Sequence, residues 1–243
     1  MTHRVALVTG GSRGIGAAIA ERLAADGYDI AISYSSNTTA AEQVVEKIRA
    51  QGRKALAIKA NGASVEGNRE VIAETIVVFG RIDVLVCNAG TFFSGPIDEM
   101  SVSQIEHILN LNVRASMIET MEATKYMTTG GRIVYIGSAF GTRAPFPGIS
   151  LYAATKAALR GFAKGVARDL GPRGITANVV EPGPIDTDLN PDSGEVAALI
   201  RSFVATGAYG KVHDIADMVS FLASPQASYI TGAALPVDGG LEA

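Results

Sequence analysis

Tyr152 and Lys156 stand four positions apart in Tyr152-Ala-Ala-Thr-Lys156. On a helix that spacing brings a phenol and an ammonium to one face. The ammonium favours phenolate, so it draws the tyrosine pKa from about 10 toward neutral. A phenol tuned this way gives a proton to a developing alkoxide or takes one from an alcohol. Ser138 directly follows the apolar run 133–137. If that run is a strand, the serine lies at the sheet edge where open α/β folds bind ligands. Plainer roles compete: an exposed helix pair for Tyr152 and Lys156, and a turn cap for Ser138. With seven tyrosines, a Tyr-x-x-x-Lys pair arises by chance about 0.2 times in such a chain, so the pair gains weight only from its surroundings.

A second group of residues points to a ligand rather than to proton transfer. Thr9-Gly-Gly-Ser-Arg-Gly-Ile-Gly16 follows a β-rich run and precedes an alanine-rich helical pattern. Glycines let a backbone approach phosphates closely, and a helix N-terminus offers them free N–H groups. In a doubly wound sheet the first strand-to-helix turn is where a dinucleotide pyrophosphate sits. The candidate contacts there are Gly10, Ser12, Arg13, Gly14, Ile15 and Gly16. The second predicted strand ends in Tyr34-Ser35-Ser36-Asn37, without a carboxylate for an adenosine ribose 2′-hydroxyl. Hydroxyls plus the Arg13 guanidinium suit a 2′-phosphate, so NADP(H) is the expected dinucleotide.

These residues need a scaffold, and the pattern supplies one. Predicted strands at 5–9, 29–34, 55–59, 84–87, 132–137, 176–180 and 234–237 alternate with predicted helices at 17–26, 39–50, 66–79, 103–127, 151–170 and 214–222. The strand runs are apolar at both alternate sets of positions, as strands buried on both faces are. The fold class is therefore α/β, a three-layer, doubly wound, parallel seven-stranded sheet of the Rossmann type. No low-complexity linker interrupts residues 1–243, which read as a single domain. The segment 184–210 is too long for an ordinary connection and reads as a substrate lid, with a helix at 197–205.

Composition narrows the function further. Apolar residues make up 47% of 243, and the net charge of −3 comes with no basic run, which argues against nucleic-acid binding. One cysteine, Cys87, excludes an internal disulfide. The three histidines are scattered and no metal site is expected. No apolar run approaches the ~20 residues of a bilayer span, and no signal peptide is visible, so a cytoplasmic protein without a membrane partner is expected.

Taken together, Thr9–Gly16, Asn88-Ala-Gly90, Asn112, Ser138, Tyr152–Lys156 and Pro182-Gly-Pro-Ile-Asp-Thr187 resemble the short-chain dehydrogenase/reductase family over essentially the whole chain. The nearest resemblance is to bacterial 3-oxoacyl-carrier-protein reductases and carbonyl reductases. It implies Tyr152 as general acid–base, with Lys156 lowering its pKa and binding the nicotinamide ribose. It also implies Ser138 orienting the substrate carbonyl, and Asn112 holding a helix bend and a proton-supplying water chain. Ile185 and Thr187, following Pro182 and Gly183, would hold the nicotinamide carboxamide. Asn88, Ala89 and Gly90 would line the adenosine-ribose side.

Three positions depart from that pattern. Cys87 replaces a usual asparagine, and it reads as an apolar core residue that gives up polar cross-strand bonds. Asn61-Gly62 stands where an aspartate usually meets the adenine amine, and its amide oxygen accepts the same bond. Lys125 is the only cation near the end of the 103–127 helix, which weakens an acidic carrier protein as substrate. Phe92, Phe93, Phe140, Pro145, Phe146 and Leu151 suggest an apolar pocket, with Arg143 available to a carboxylate only if it turns inward. The expected function is NADPH-dependent reduction of a small to medium apolar ketone or aldehyde. The alternatives are 3-oxoacyl-carrier-protein reduction and a non-catalytic, nucleotide-binding regulatory role. The predicted helices 103–127 and 151–170 resemble those that pair in family homotetramers.

Overall fold

A computed structural model describes residues 3–243; Met1 and Thr2, which belong to the single-domain reading, lie outside the described residues. The described chain runs β1 (Val5–Val8), α1 (Gly14–Ala25), β2 (Asp29–Tyr34), α2 (Thr38–Ala50), β3 (Ala55–Lys59), α3 (Val65–Phe79) and β4 (Val84–Cys87). It continues through α4 (Val102–Leu109), α5 (Ala115–Ala123), β5 (Arg132–Ile136), α6 (Ser150–Leu170), β6 (Thr176–Pro182), α7 (Gly194–Ser202), α8 (Val212–Ala223) and β7 (Ala234–Val237). All strand pairs are parallel, in the order β3-β2-β1-β4-β5-β6-β7. The chain builds outward from β1 to β3 and then crosses to β4. A crevice therefore opens at the carboxyl ends of β1 and β4, the place where such sheets take ligands.

Both sheet faces are buried because alternate residues of each strand point to opposite helical layers. Ala6, Val8, Ile30, Ile32, Val84 and Val86 pack with residues of α1, α2 and α8. Leu7, Ala31, Leu85, Ile133, Tyr135 and Val179 pack on the other side with residues of α3, α5 and α6. Local signals set the helix ends: Ser64 accepts from the Gly67 N–H at 3.0 Å to start α3, and Ser101 with Gln104 forms a capping box on α4.

Several element ends move by one to three residues from their predicted bounds, and two differences matter for the site. The continuous helix expected over 103–127 divides into α4, a π-turn at Asn110–Arg114, and α5. The helix expected at 197–205 spans Gly194–Ser202 instead, because the chain turns inward to bury Val204 against Ala139 and Leu241. Among the described residues no helix is long and apolar enough to cross a membrane.

Candidate active site

Two cavities meet at the carboxyl edge of the sheet. The first, a groove of about 410 Å³, runs over the glycine loop and is walled by Gly10, Arg13, Ser33, Asn61, Asn88 and His107 among others. The second, of about 440 Å³, is walled by Phe92, Phe140, Phe146, Ser138, Tyr152 and Ile200 among others. Ile15, Asn88, Gly90, Thr187 and Leu189 border both, so the groove opens into the pocket.

The groove is built largely from backbone. Gly10 takes a φ of +64°, a conformation that side chains resist. A Cβ on Gly16 would stand 2.4 Å from the Gly10 carbonyl oxygen. The side-chain amide of Asn88 donates to the Thr9 and Gly10 carbonyls at 2.9 and 3.1 Å, fixing the loop against the end of β4. Ser33 receives the Gly10 N–H at 3.2 Å. The alternation of β2 makes Ser33 readable as a buried strand residue, but its bond to the loop follows only from the β1–β2 register.

The expected groove residues are not all brought together. Gly10, Ser12, Arg13, Gly14, Ile15 and Gly16 line it, as do Tyr34 and Ser35. Asn61, Gly62, Asn88, Ala89 and Gly90 line it too. Ser36 and Asn37 border neither cavity; the Asn37 side chain caps α2 by accepting from the Ala40 N–H at 3.0 Å. The Asn61 amide oxygen, expected to serve adenine, already accepts the Ala63 N–H at 3.0 Å, which leaves it one lone pair. Arg13 is exposed at the start of α1, and no ion pair engages it among the described residues.

The proton-handling side chains converge at the pocket. Tyr152 and Lys156 lie one turn apart on α6, and Ser138 caps the short turn after β5 by accepting from the Phe140 N–H at 3.2 Å. The Lys156 ammonium donates to the Ile136 carbonyl at 2.9 Å and lies 5.7 Å from the Tyr152 ring centre. Burial draws the Lys156 pKa down to about 8. Tyr152 departs from expectation: burial raises its pKa, opposed by the hydrogen-bonding Ser138 hydroxyl. Lys156 is aimed at a carbonyl rather than at the phenol, so desolvation dominates. Phe92 meets the Tyr152 ring edge-on at 4.9 Å.

Asn112 sits in the π-turn and ties three elements together. Its oxygen accepts the Thr91 N–H at 2.8 Å, and its amide donates to the Thr91 carbonyl at 2.9 Å and to Thr155 Oγ1 at 3.1 Å. These bonds hold the widened turn. Farther along, Pro182, Gly183, Ile185 and Thr187 line the pocket at the end of β6. The Ile185 carbonyl and Thr187 hydroxyl both accept from Asn190, at 3.2 Å each. The segment 184–210 closes on itself: Gly210 N–H donates to Pro184 and Asp186 N–H to Gly210, at 2.9 and 3.0 Å. Arg201 pairs with Asp192, while Ala197, Ile200 and Tyr209 pack on Phe146.

Other expectations are revised. Arg143 does not face the pocket; it donates to the Leu241 carbonyl at 2.7 Å. Phe93, Pro145 and Leu151 do not line the pocket, whereas Val196 and Ile200 from α7 do. Cys87 is buried in the apolar core, as expected, and burial, with the Glu119 carboxyl nearby, pushes its thiol pKa well above the usual value.

The family model described as Enoyl-(Acyl carrier protein) reductase matches residues 10–242. The chain is a short-chain dehydrogenase/reductase. The chain is 40% identical over 242 residues to the Cyclic-di-GMP-binding biofilm dispersal mediator protein of Escherichia coli, covering 100% of this chain and 98% of that one. It is 40% identical over 244 residues to a 3-oxoacyl-acyl-carrier-protein reductase of a Synechocystis species, with 99% and 98% of the two chains covered. Among solved structures, a blue fluorescent protein from a metagenomic library, in complex with NADPH, is 51% identical with a TM-score of 0.97. That match covers 99% of this chain and 98% of the other.

Proposed function

We propose that the protein reduces a ketone or aldehyde carbonyl of a small to medium apolar substrate to an alcohol, with NADPH as hydride donor and Tyr152 as general acid. The observation that carries this reading is the junction of the glycine-loop groove with an apolar pocket at Tyr152, Ser138 and Lys156. The groove fits a dinucleotide: its floor at Gly16 admits no Cβ, and its wall carries Arg13 beside Ser35 with no pairing carboxylate among the described residues. Bound NADPH supplies the hydride.

The chain's residues do the rest. Burial keeps the Tyr152 phenol protonated at neutral pH, the state a proton donor requires. The Ser138 hydroxyl borders the same pocket and orients the carbonyl oxygen toward the phenol. Lys156 supplies a positive charge below pH about 8 and holds the nicotinamide ribose. Asn112 fixes the π-turn behind them and supports the proton-supplying water chain. Ile185 and Thr187 hold the carboxamide side.

Phe92, Phe140 and Phe146 give the pocket an aromatic wall, and with Arg143 turned away it offers no guanidinium to a carboxylate. The chain acts as one NADP-binding domain in which 184–210 is the substrate lid. A panel of ketones, aldehydes and acyl thioesters, followed by loss of NADPH absorbance with NADH in parallel, tests the activity. Turnover of neutral ketones supports it, and turnover confined to carrier-protein thioesters selects the 3-oxoacyl reductase reading. The Lys125 charge is already engaged by Glu122, which argues against an acidic carrier.

A second reading draws on the Escherichia coli relative: a nucleotide-binding regulatory protein without turnover. Binding of cyclic di-GMP together with no reduction of any carbonyl would select it. The site is cytoplasmic in this account, with neither membrane nor nucleic acid as partner. We also propose a homotetramer of D2 symmetry. Met117 and Met121 leave the α5 surface partly exposed, and closed symmetric assemblies are the common oligomers. Light scattering at micromolar concentration should give a mass near four chains, and a monomer would refute the assembly.

A further inference from the structure

Beneath the crevice between β1 and β4 lies a buried carboxyl group that the mechanism does not use. Glu119, on α5, is 2% exposed. Its Oε2 accepts from the Thr9 hydroxyl at 3.4 Å, and Cys87 lies close by. Thr9 Oγ1 accepts the N–H groups of Asn88 and Ala89 at 3.1 and 3.2 Å. With both lone pairs engaged, this hydroxyl has one hydrogen to give, and its acceptors are Glu119 Oε2 and, at 3.5 Å, the Val86 carbonyl. One short chain of bonds thus joins Glu119 to both walls of the groove, the loop after β1 and the Asn88-Ala-Gly90 turn after β4.

Among the described residues no cation pairs with this carboxyl. On β4 the titratable neighbour is Cys87, and on β5 it is Tyr135, which reaches the cluster through the Thr120 hydroxyl at 2.9 Å. From α3, Arg69 pairs with Glu122 at 3.1 Å, and Lys125 pairs with that same residue. Burial lifts the Glu119 pKa from 4.5 to about 7, as desolvation of an unpaired carboxylate must. Cys87, which replaces the family's asparagine, lies close to this acid, and burial together with the neighbouring Glu119 charge pushes its thiol pKa up.

We infer that Glu119 is a proton-linked positioning residue for the cofactor groove: it holds Thr9 by accepting its hydroxyl, and it favours the pyrophosphate-bearing dinucleotide while its carboxyl is neutral. This rests on the glycine loop being the NADP(H) site. Thr9 immediately precedes the loop, so an ionised Glu119 places a negative charge under the segment that receives the pyrophosphate, in an interior that screens it weakly. By linkage, a bound anion stabilises the protonated acid, and ionisation weakens the anion's affinity by the same factor.

The test measures NADPH dissociation constants from pH 6 to 8.5, by cofactor fluorescence, for the wild type and Glu119→Gln. Glutamine keeps the size and an oxygen for Thr9 but does not titrate. The NADPH 2′-phosphate titrates identically in both proteins, so the wild-type-to-variant ratio isolates Glu119. That ratio is expected to rise at least about 5-fold across this range. A constant ratio, whatever its size, is the signature of a merely structural residue and overturns the link. The ligand-free proteins give an independent readout. A carboxyl whose pKa is raised on folding stabilises below its unfolded value and loses that contribution as pH rises through about 7. Wild-type Tm should therefore fall more steeply than the variant's between pH 5 and 8, and parallel curves contradict the proposal.

If Glu119→Gln does not fold, the wild type still answers through calorimetry with NADH in buffers of different ionisation enthalpy at pH 7. Proton uptake on binding is expected, and no uptake overturns the link. A wild type that binds neither nucleotide at any pH refutes the cofactor reading instead.

Discussion

The groove and the pocket that meet at Ile15, Asn88 and Gly90 are made of different materials. The groove is formed by backbone: the glycine loop after β1, a Gly16 that packs against the Gly10 carbonyl with no room for a Cβ, and hydrogen bonds from the Asn88 side-chain amide that lock one turn against another. The pocket is formed by side chains from distant stretches, with Phe92, Phe140 and Phe146 on one part and Val196 and Ile200 of α7 on another. A backbone surface tolerates almost no change but reads any ligand with the same phosphates. A side-chain surface accepts substitution and changes what it selects. The first should fail abruptly under mutation, and the second should drift.

The most severe effect belongs to the groove. Gly16→Val drives a branched side chain into the Gly10 carbonyl, which stands 2.4 Å from even a Cβ. Overpacking of roughly 3 kcal/mol corresponds to about a 100-fold loss of NADPH affinity. Fluorescence titration measures it, with circular dichroism confirming the fold; near-normal affinity would mean that the dinucleotide lies elsewhere. Next is Arg13→Ala. The exposed guanidinium acts only on a 2′-phosphate, so NADPH should weaken about 10-fold while NADH is unchanged. Equal losses for both would make Arg13 a pyrophosphate contact instead. The smallest effect is expected on the pocket side. Phe92→Ala removes an edge-on contact with Tyr152, worth about 1 kcal/mol. KM for aromatic ketones should rise roughly 5-fold with NADPH affinity intact, and a change in NADPH affinity would erase the distinction between the two cavities.

The same contrast explains which features are legible in the amino-acid sequence. The strands at 29–34, 55–59, 84–87 and 234–237 have their predicted bounds, since β-rich apolar runs between turn residues leave little choice. The glycine loop is legible because its geometry depends on residues adjacent in sequence. The π-turn is not legible as a break in periodicity, because Thr91 and Thr155 impose it through Asn112 from outside the helix. Val196 and Ile200 give no distinct signal, because apolar residues on a lid helix look alike until the fold selects which face the pocket. Glu119 carries no signal at all: an isolated glutamate in an amphipathic helix reads as solvated, and only the packing of α5 on β4 puts it beside Cys87. Tyr152 is the instructive reversal. Spacing alone predicts a phenol lowered by its lysine, whereas the fold points that lysine at the Ile136 carbonyl and lets burial raise the phenol.

The central claim is that proton delivery by Tyr152 is separate from cofactor holding by the groove, and one paired measurement on Tyr152→Phe addresses it. NADPH affinity and kcat/KM for ketone reduction are determined together from pH 6 to 10. The account predicts affinity within about 2-fold of the wild type and a rate at least about 100-fold lower at neutral pH, the scale of a positioned acid. In the wild type, kcat/KM should fall as pH rises above about 8, where Lys156 loses its charge while the phenol is still protonated. A Tyr152→Phe enzyme that reduces ketones at the wild-type rate would contradict the account.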